Sequence, residues 1–133
     1  MKETLSKVMI VDDEIHLLVL ISSVLEDSPC EITTAQSGEE GMQILKNSNE
    51  FAVTVSNFHM GKGMNGGEFL KLVKLHSPNT VRILMTAGKD KDSLLVGVDK
   101  GEFDSFAMKP IVVDNFIGQV ESSIKQNNIL ITF

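Results

Sequence analysis

An α/β fold with a parallel sheet and helices on both faces is predicted by three features of the sequence. Short apolar, β-branched runs alternate with longer helical patterns, five of each, in strict order. The connections between them are short, which suits right-handed crossovers between parallel strands. Polar residues able to do chemistry stand just past the ends of the strands, where open parallel sheets place their sites.

Lys7–Val11 is the first strand, stopped by Asp12-Asp13-Glu14. A helix follows from Ile15 to about Glu26, apolar on most faces, and Asp27-Ser28-Pro29 ends it because proline cannot continue a helix. Glu31–Ala35 is the second strand. Ser37 and Glu40 have capping-box spacing, so a helix starts there and runs through Met42, Ile44 and Leu45 to a break at Asn47-Ser48-Asn49. The third strand, Ala52–Ser56, closes on Asn57 and opens into a glycine-rich loop, Gly61 to Gly67. Glu68–Leu75 is the third helix, closed by Ser77-Pro78-Asn79.

Val81–Met85 is the fourth strand, ending on Thr86-Ala87-Gly88. A short helix from Asp90 to Val98 stops at Lys100-Gly101. Phe103–Met108 is the fifth strand, ending on Lys109-Pro110. Val112–Lys125 is the last helix, with Phe116, Ile117, Val120 and Ile124 on one face. Residues 1–127 form one domain, and the apolar tail Asn128–Phe133 is expected to leave the helix as a tail or the start of a linker.

A chain of 133 residues buries a core without staples. A net charge of -6 argues against a nucleic-acid-binding surface, which is usually basic. Cys30 is the only cysteine, so no internal disulfide forms, as suits a cytoplasmic protein. No apolar stretch is long enough to span a membrane, and the polar start, Met1 to Lys7, does not read as a signal peptide.

Taken singly, the residues past the strand ends have ordinary explanations. Asp12-Asp13 is a helix cap with a macrodipole partner, Asn57 a turn former, Thr86 a cap and Lys109 a solvated end. Taken together they suggest more. Two carboxylates at one point suit a hard cation such as Mg²⁺. A lysine and a threonine hydroxyl opposite them suit phosphoryl oxygens. This is a layout for phosphoryl transfer onto the third strand, with positioning and charge neutralisation supplying the catalysis. His16, His59 and His76 show no metal-ligand spacing. The turn Val11-Asp12-Asp13-Glu14-Ile15 lacks a glycine-rich phosphate loop, which argues against a nucleotide-binding enzyme.

Asp12-Asp13, Ser56-Asn57-Phe58-His59-Met60 followed by Gly66, Thr86-Ala87 and Lys109-Pro110 resemble, in order and spacing, the receiver domain of bacterial response regulators. The resemblance covers about Leu5 to Lys125. It implies a flavodoxin-like fold with strand order 2-1-3-4-5. It implies Mg²⁺ on Asp12, Asp13, the Asn57 position and the His59 carbonyl. It also implies phosphoryl contacts from Thr86 and Lys109, a cis Lys109-Pro110 bond, and Phe106 as the switch aromatic coupled to Thr86. The implied partners are a sensor histidine kinase or phosphotransfer protein, and an output domain or second copy on the face of helix 4, strand 5 and helix 5. It implies a signalling module and not an enzyme.

The sequence departs from that family at the residue that matters most. The phosphoacceptor is an aspartate, and Asn57 stands in its place. An amide is a poor nucleophile and carries no charge, so no stable acyl phosphate is expected and Mg²⁺ binding should weaken. Ser56, the neighbour, points to the opposite face of the strand and is a poor substitute. Gly61 stands where the family usually has proline, and the loop after it is one residue longer than usual, so it is expected to be mobile. The alternative function is a degenerate receiver that acts as a constitutive interaction module.

Overall fold

The computed structural model describes residues 5–48 and 50–132. Asn49 of the expected helix break, Phe133 of the expected tail and residues 1–4 lie outside the described residues. Five strands and five helices alternate: β1 (Ser6–Val11), α1 (Ile15–Val24), β2 (Cys30–Ala35), α2 (Gly38–Asn47), β3 (Phe51–Asn57), α3 (Gly66–His76), β4 (Val81–Thr86), α4 (Lys91–Asp99), β5 (Ser105–Met108) and α5 (Val113–Thr132). The sheet is parallel throughout, in the order β2-β1-β3-β4-β5. This is the flavodoxin-like arrangement expected from the sequence.

β3 and β4 are buried end to end and β1 is buried from Val8 to Val11, as strands covered on both faces must be. Alternate residues feed two cores. Val8, Ile10, Val53, Val55, Ile83 and Met85 pack with Leu18 and Ile21 of α1 and Phe116 and Val120 of α5. Met9, Val11 and Leu84 pack with Leu45 of α2, Phe69 and Leu70 of α3 and Leu94 of α4. Phe69 is fully buried, and removing a ring of that size from water contributes about 3 kcal/mol.

Local chemistry sets the helix starts. The Ser37 hydroxyl accepts from the Glu40 N–H at 3.0 Å, as the spacing predicts. Asn65 and Glu68 form a reciprocal capping box, so α3 begins at Gly66, two residues before the apolar pattern places it. Asp90 caps α4 through the Ser93 N–H at 2.7 Å.

The last helix differs from the expectation. α5 continues through the expected tail to Thr132. Asn127 is buried, and its side-chain amide donates to the Asn79 carbonyl at 2.8 Å, fastening the helix to the turn before β4. Glycine and proline are absent after Gly118, so nothing stops the helix there. Ile129, Leu130 and Ile131 are exposed on this last turn.

β4 carries a buried arginine that the strand pattern does not single out as unusual. Arg82 donates to the carbonyls of Leu70 at 3.2 Å, Gly101 at 3.0 Å and Glu102 at 2.7 Å, and its Nε lies 3.4 Å from Asp104 Oδ2. Its charge is thus well hydrogen-bonded, which is the condition for burying one. It fixes the α4–β5 connection to the sheet.

Candidate functional site

All the strand ends named by the sequence lie at one rim of the sheet, because every strand runs the same way. β1 delivers Asp12, β3 delivers Asn57, β4 delivers Thr86 and β5 delivers Lys109. The backbone joins these ends directly: Phe58 N–H donates to the Met85 carbonyl at 2.9 Å, and Lys109 N–H donates to the Thr86 carbonyl at 2.8 Å.

Lys109 Nζ lies 3.2 Å from Asp12 Oδ2. The other Asp12 oxygen, Oδ1, accepts from the Glu14 N–H at 2.9 Å. Asp12 is 1% exposed, and burial pushes its carboxyl above the usual carboxylate range. The Glu14 N–H and Lys109 oppose that shift without cancelling it. Asp13 is exposed beside it. The Lys109-Pro110 peptide bond is cis.

Asn57 is buried, and its Nδ2 donates to the carbonyl of His59. The ring of His59 is exposed to solvent and stands edge-on to Phe58. Ser56 is fully buried and its hydroxyl donates to the Asn57 carbonyl at 3.0 Å. Thr86 is 1% exposed and its hydroxyl donates to the Ala87 carbonyl at 3.3 Å. Phe106 sits on β5 opposite Leu84 and is partly buried against the α2–α3–α4 core.

The loop after β3, expected from its glycines to be mobile, is hydrogen-bonded at Met64 and Gly66 and exposed from Gly61 to Gly63. Gly66 N–H donates to the Phe58 carbonyl at 2.8 Å, and Met60 is buried. Met64 N–H donates to Glu39 Oε2 of α2 at 3.0 Å. Gly66 has no room for a side chain: a Cβ there would overlap the Asn57 carbonyl oxygen. Gly61 has φ +66°, a conformation closed to proline.

Two residues at the rim escape a reading of the sequence alone. Lys89 Nζ lies 4.1 Å from the centre of the Phe58 ring, joining the loops after β3 and β4. Glu39 holds the glycine loop from a neighbouring helix. Neither has a local sequence signal, since each contact joins separate elements.

The donor set does not fit a divalent cation as it is arranged. Asp12 and Asp13 supply carboxylate oxygens. The His59 carbonyl, however, is taken by the Asn57 amide, which turns an N–H donor toward the place where a ligand oxygen is needed. Among the described residues, no three His, Cys, Asp or Glu side chains are grouped to hold a metal.

Comparison with known proteins agrees with the fold. The family model described as response regulator receiver domain matches residues 8–121. The chain is 32% identical over 120 residues to a probable chemotaxis protein CheY of Rhizobium etli, covering 87% of this chain and 90% of that protein. It is 31% identical over 123 residues to the transcriptional regulatory protein CpxR homolog of Haemophilus influenzae, covering 92% of this chain and 52% of that protein. The chain therefore spans only about half of that longer relative. A solved structure described as adenylate cyclase from Rhodopirellula baltica matches with TM-score 0.89 and 28% identity, over 97% of this chain and 94% of that one. A response regulator receiver domain from Clostridium thermocellum matches with TM-score 0.85 and 26% identity, over 95% and 99%.

Proposed function

This chain belongs to the response regulator receiver family of two-component signalling, and we propose that it is a receiver that takes no phosphoryl group at Asn57 and signals through the partners it binds. The observation that carries this reading is the state of Asn57 itself. It stands at the end of β3, where the phosphoacceptor carboxylate is expected, with its amide engaged by the His59 carbonyl. An amide nitrogen delocalises its lone pair into the carbonyl, and the amide oxygen has no charge to attack phosphorus with. Lys109 and Thr86 would still suit phosphoryl oxygens, but no nucleophile stands between them.

Receiver domains act with histidine kinases or phosphotransfer proteins and are often joined to output domains; this chain is assigned partners of the same kind. Docking through α4, β5 and α5 is supported by exposed apolar residues on or beside them: Leu95, Val96, Met108 and Val112. The family's switch role is carried over to Thr86 and Phe106, and its cytoplasmic setting to the chain. No helix among the described residues is long and apolar enough to cross a membrane.

The constitutive interaction module is the second reading, favoured by the tied loop and by a hydrogen-bonded Asn57. In both, a partner binds one state of the domain better and draws the population toward it. The test is partner capture by the wild type and by Asn57→Asp, each with and without a small-molecule phosphodonor. The wild type should capture the same partners in both conditions, with dependence on phosphodonor only in the variant. Phosphodonor-dependent capture by the wild type would sink the proposal.

A further inference from the structure

We propose that the side-chain amide of Asn57 replaces the divalent cation of this site, holding the loop after β3 in place by a hydrogen bond and leaving the wild-type protein with no useful affinity for Mg²⁺. This rests on reading the pocket as a receiver site, since receivers generally hold Mg²⁺ at their acidic cluster.

Two groups set the arrangement. Asn57 ends β3, and the His59 carbonyl follows two residues later in the same turn. With a carboxylate at position 57, that turn would set a charged oxygen against a carbonyl oxygen. Such a pair repels unless a cation lies between them. An amide has nearly the shape of a carboxylate but exchanges one acceptor oxygen for an NH₂ donor. Asn57 points that donor at the His59 carbonyl. Attraction thus comes from within the chain, where a carboxylate would need an outside ion.

The surrounding groups make the same arrangement self-sufficient. Both Asp12 oxygens already have partners, the Glu14 N–H at 2.9 Å and Lys109 at 3.2 Å. The loop from Phe58 to Gly66 is closed by the Gly66 N–H on the Phe58 carbonyl and braced by Glu39 on the Met64 N–H. A cation entering here would have to displace the Asn57 amide from His59 and leave an N–H donor facing a positive charge. What remains for it is chiefly Asp13, an exposed carboxylate, and one such group holds Mg²⁺ weakly.

The consequence is an inverted metal response between the wild type and Asn57→Asp. The aspartate variant recreates the oxygen–oxygen opposition, so its loop closes only around a cation. Thermal unfolding in EDTA and in about 10 mM MgCl₂ reads this directly, because a ligand that binds only the folded state raises the midpoint. The wild type should shift by less than about 1 °C, while Asn57→Asp should melt lower than wild type in EDTA and rise by roughly 4 °C or more with Mg²⁺. A wild-type rise equal to that of the variant would overturn the proposal, as would an aspartate variant indifferent to Mg²⁺.

A second measurement needs no variant. Equimolar Mn²⁺ added to the isotope-labelled wild type should leave the amide signals of Asn57, Phe58 and His59 unbroadened. Selective loss of those signals would place a cation at the His59 carbonyl and overturn the proposal. Neither result bears on whether residue 57 accepts a phosphoryl group, so failure here is distinguishable from failure of the functional reading.

Discussion

Lys109 Nζ and Asp12 Oδ2 lie 3.2 Å apart, although 97 positions separate them in sequence. The bond ties the end of β5 to the end of β1 across the middle of the sheet. It also holds an ammonium against a buried carboxylate at the rim of the sheet where β3 ends on Asn57. Asp12 is 1% exposed, so its charge depends on this partner and on the Glu14 N–H.

Lys109→Met removes the cation and leaves the buried carboxylate with one neutral donor. The expected loss is about 2 kcal/mol, below the usual cost of breaking a fully buried pair because Lys109 is partly solvated. Urea unfolding of the two proteins side by side measures it. Adding Asp12→Asn to Lys109→Met should recover part of the loss, since the stranded charge is then gone.

Gly66→Ala should be severely destabilising, by about 3 kcal/mol, because its Cβ would overlap the Asn57 carbonyl oxygen and the backbone must shift. Gly118→Ala makes the opposite case. Nothing lies within 4 Å of a Cβ there, and the position is inside α5. Alanine should stabilise that helix by about 0.5–1 kcal/mol through helix propensity. Chemical denaturation midpoints of both variants check the contrast.

The Asp90 cap carries a pH signature. Hydrogen bonds from Ser93 hold its carboxyl below the ordinary value of 3.8. The folded state therefore favours the ionised form, and the stabilisation is present above the unfolded pKa and lost as pH falls through the lowered folded value. Asp90→Ala should melt below wild type at neutral pH, and the gap should narrow on acidification beneath pH 3.8. A gap that stays constant with pH would assign the effect to something other than the carboxylate.

The fold and the site are legible in the sequence to different depths. Buried parallel strands write themselves as apolar runs, so β1, β3 and β4 are plain. The rim residues Asp12, Asn57, Thr86 and Lys109 follow from strand ends and direction. The end of α5 is hidden because the apolar tail from Asn128 does not fit the pattern of the helix, while the structure carries the helix on past Asn127, anchored on Asn79. The brace on the glycine loop is hidden because it comes from elsewhere in the chain: Glu39 of α2 accepts from the Met64 N–H. Contacts between distant elements, such as Lys89 on Phe58, leave no local pattern to read.

Inability of residue 57 to accept a phosphoryl group is the central claim. Intact mass spectrometry after incubation with a small-molecule phosphodonor and Mg²⁺ tests it most directly, with Asn57→Asp as the positive control. The wild type should keep its unmodified mass while the variant gains one base-labile phosphoryl group. A phosphoryl adduct on the wild type, mapped to Asn57 or to Ser56 beside it, would contradict the account.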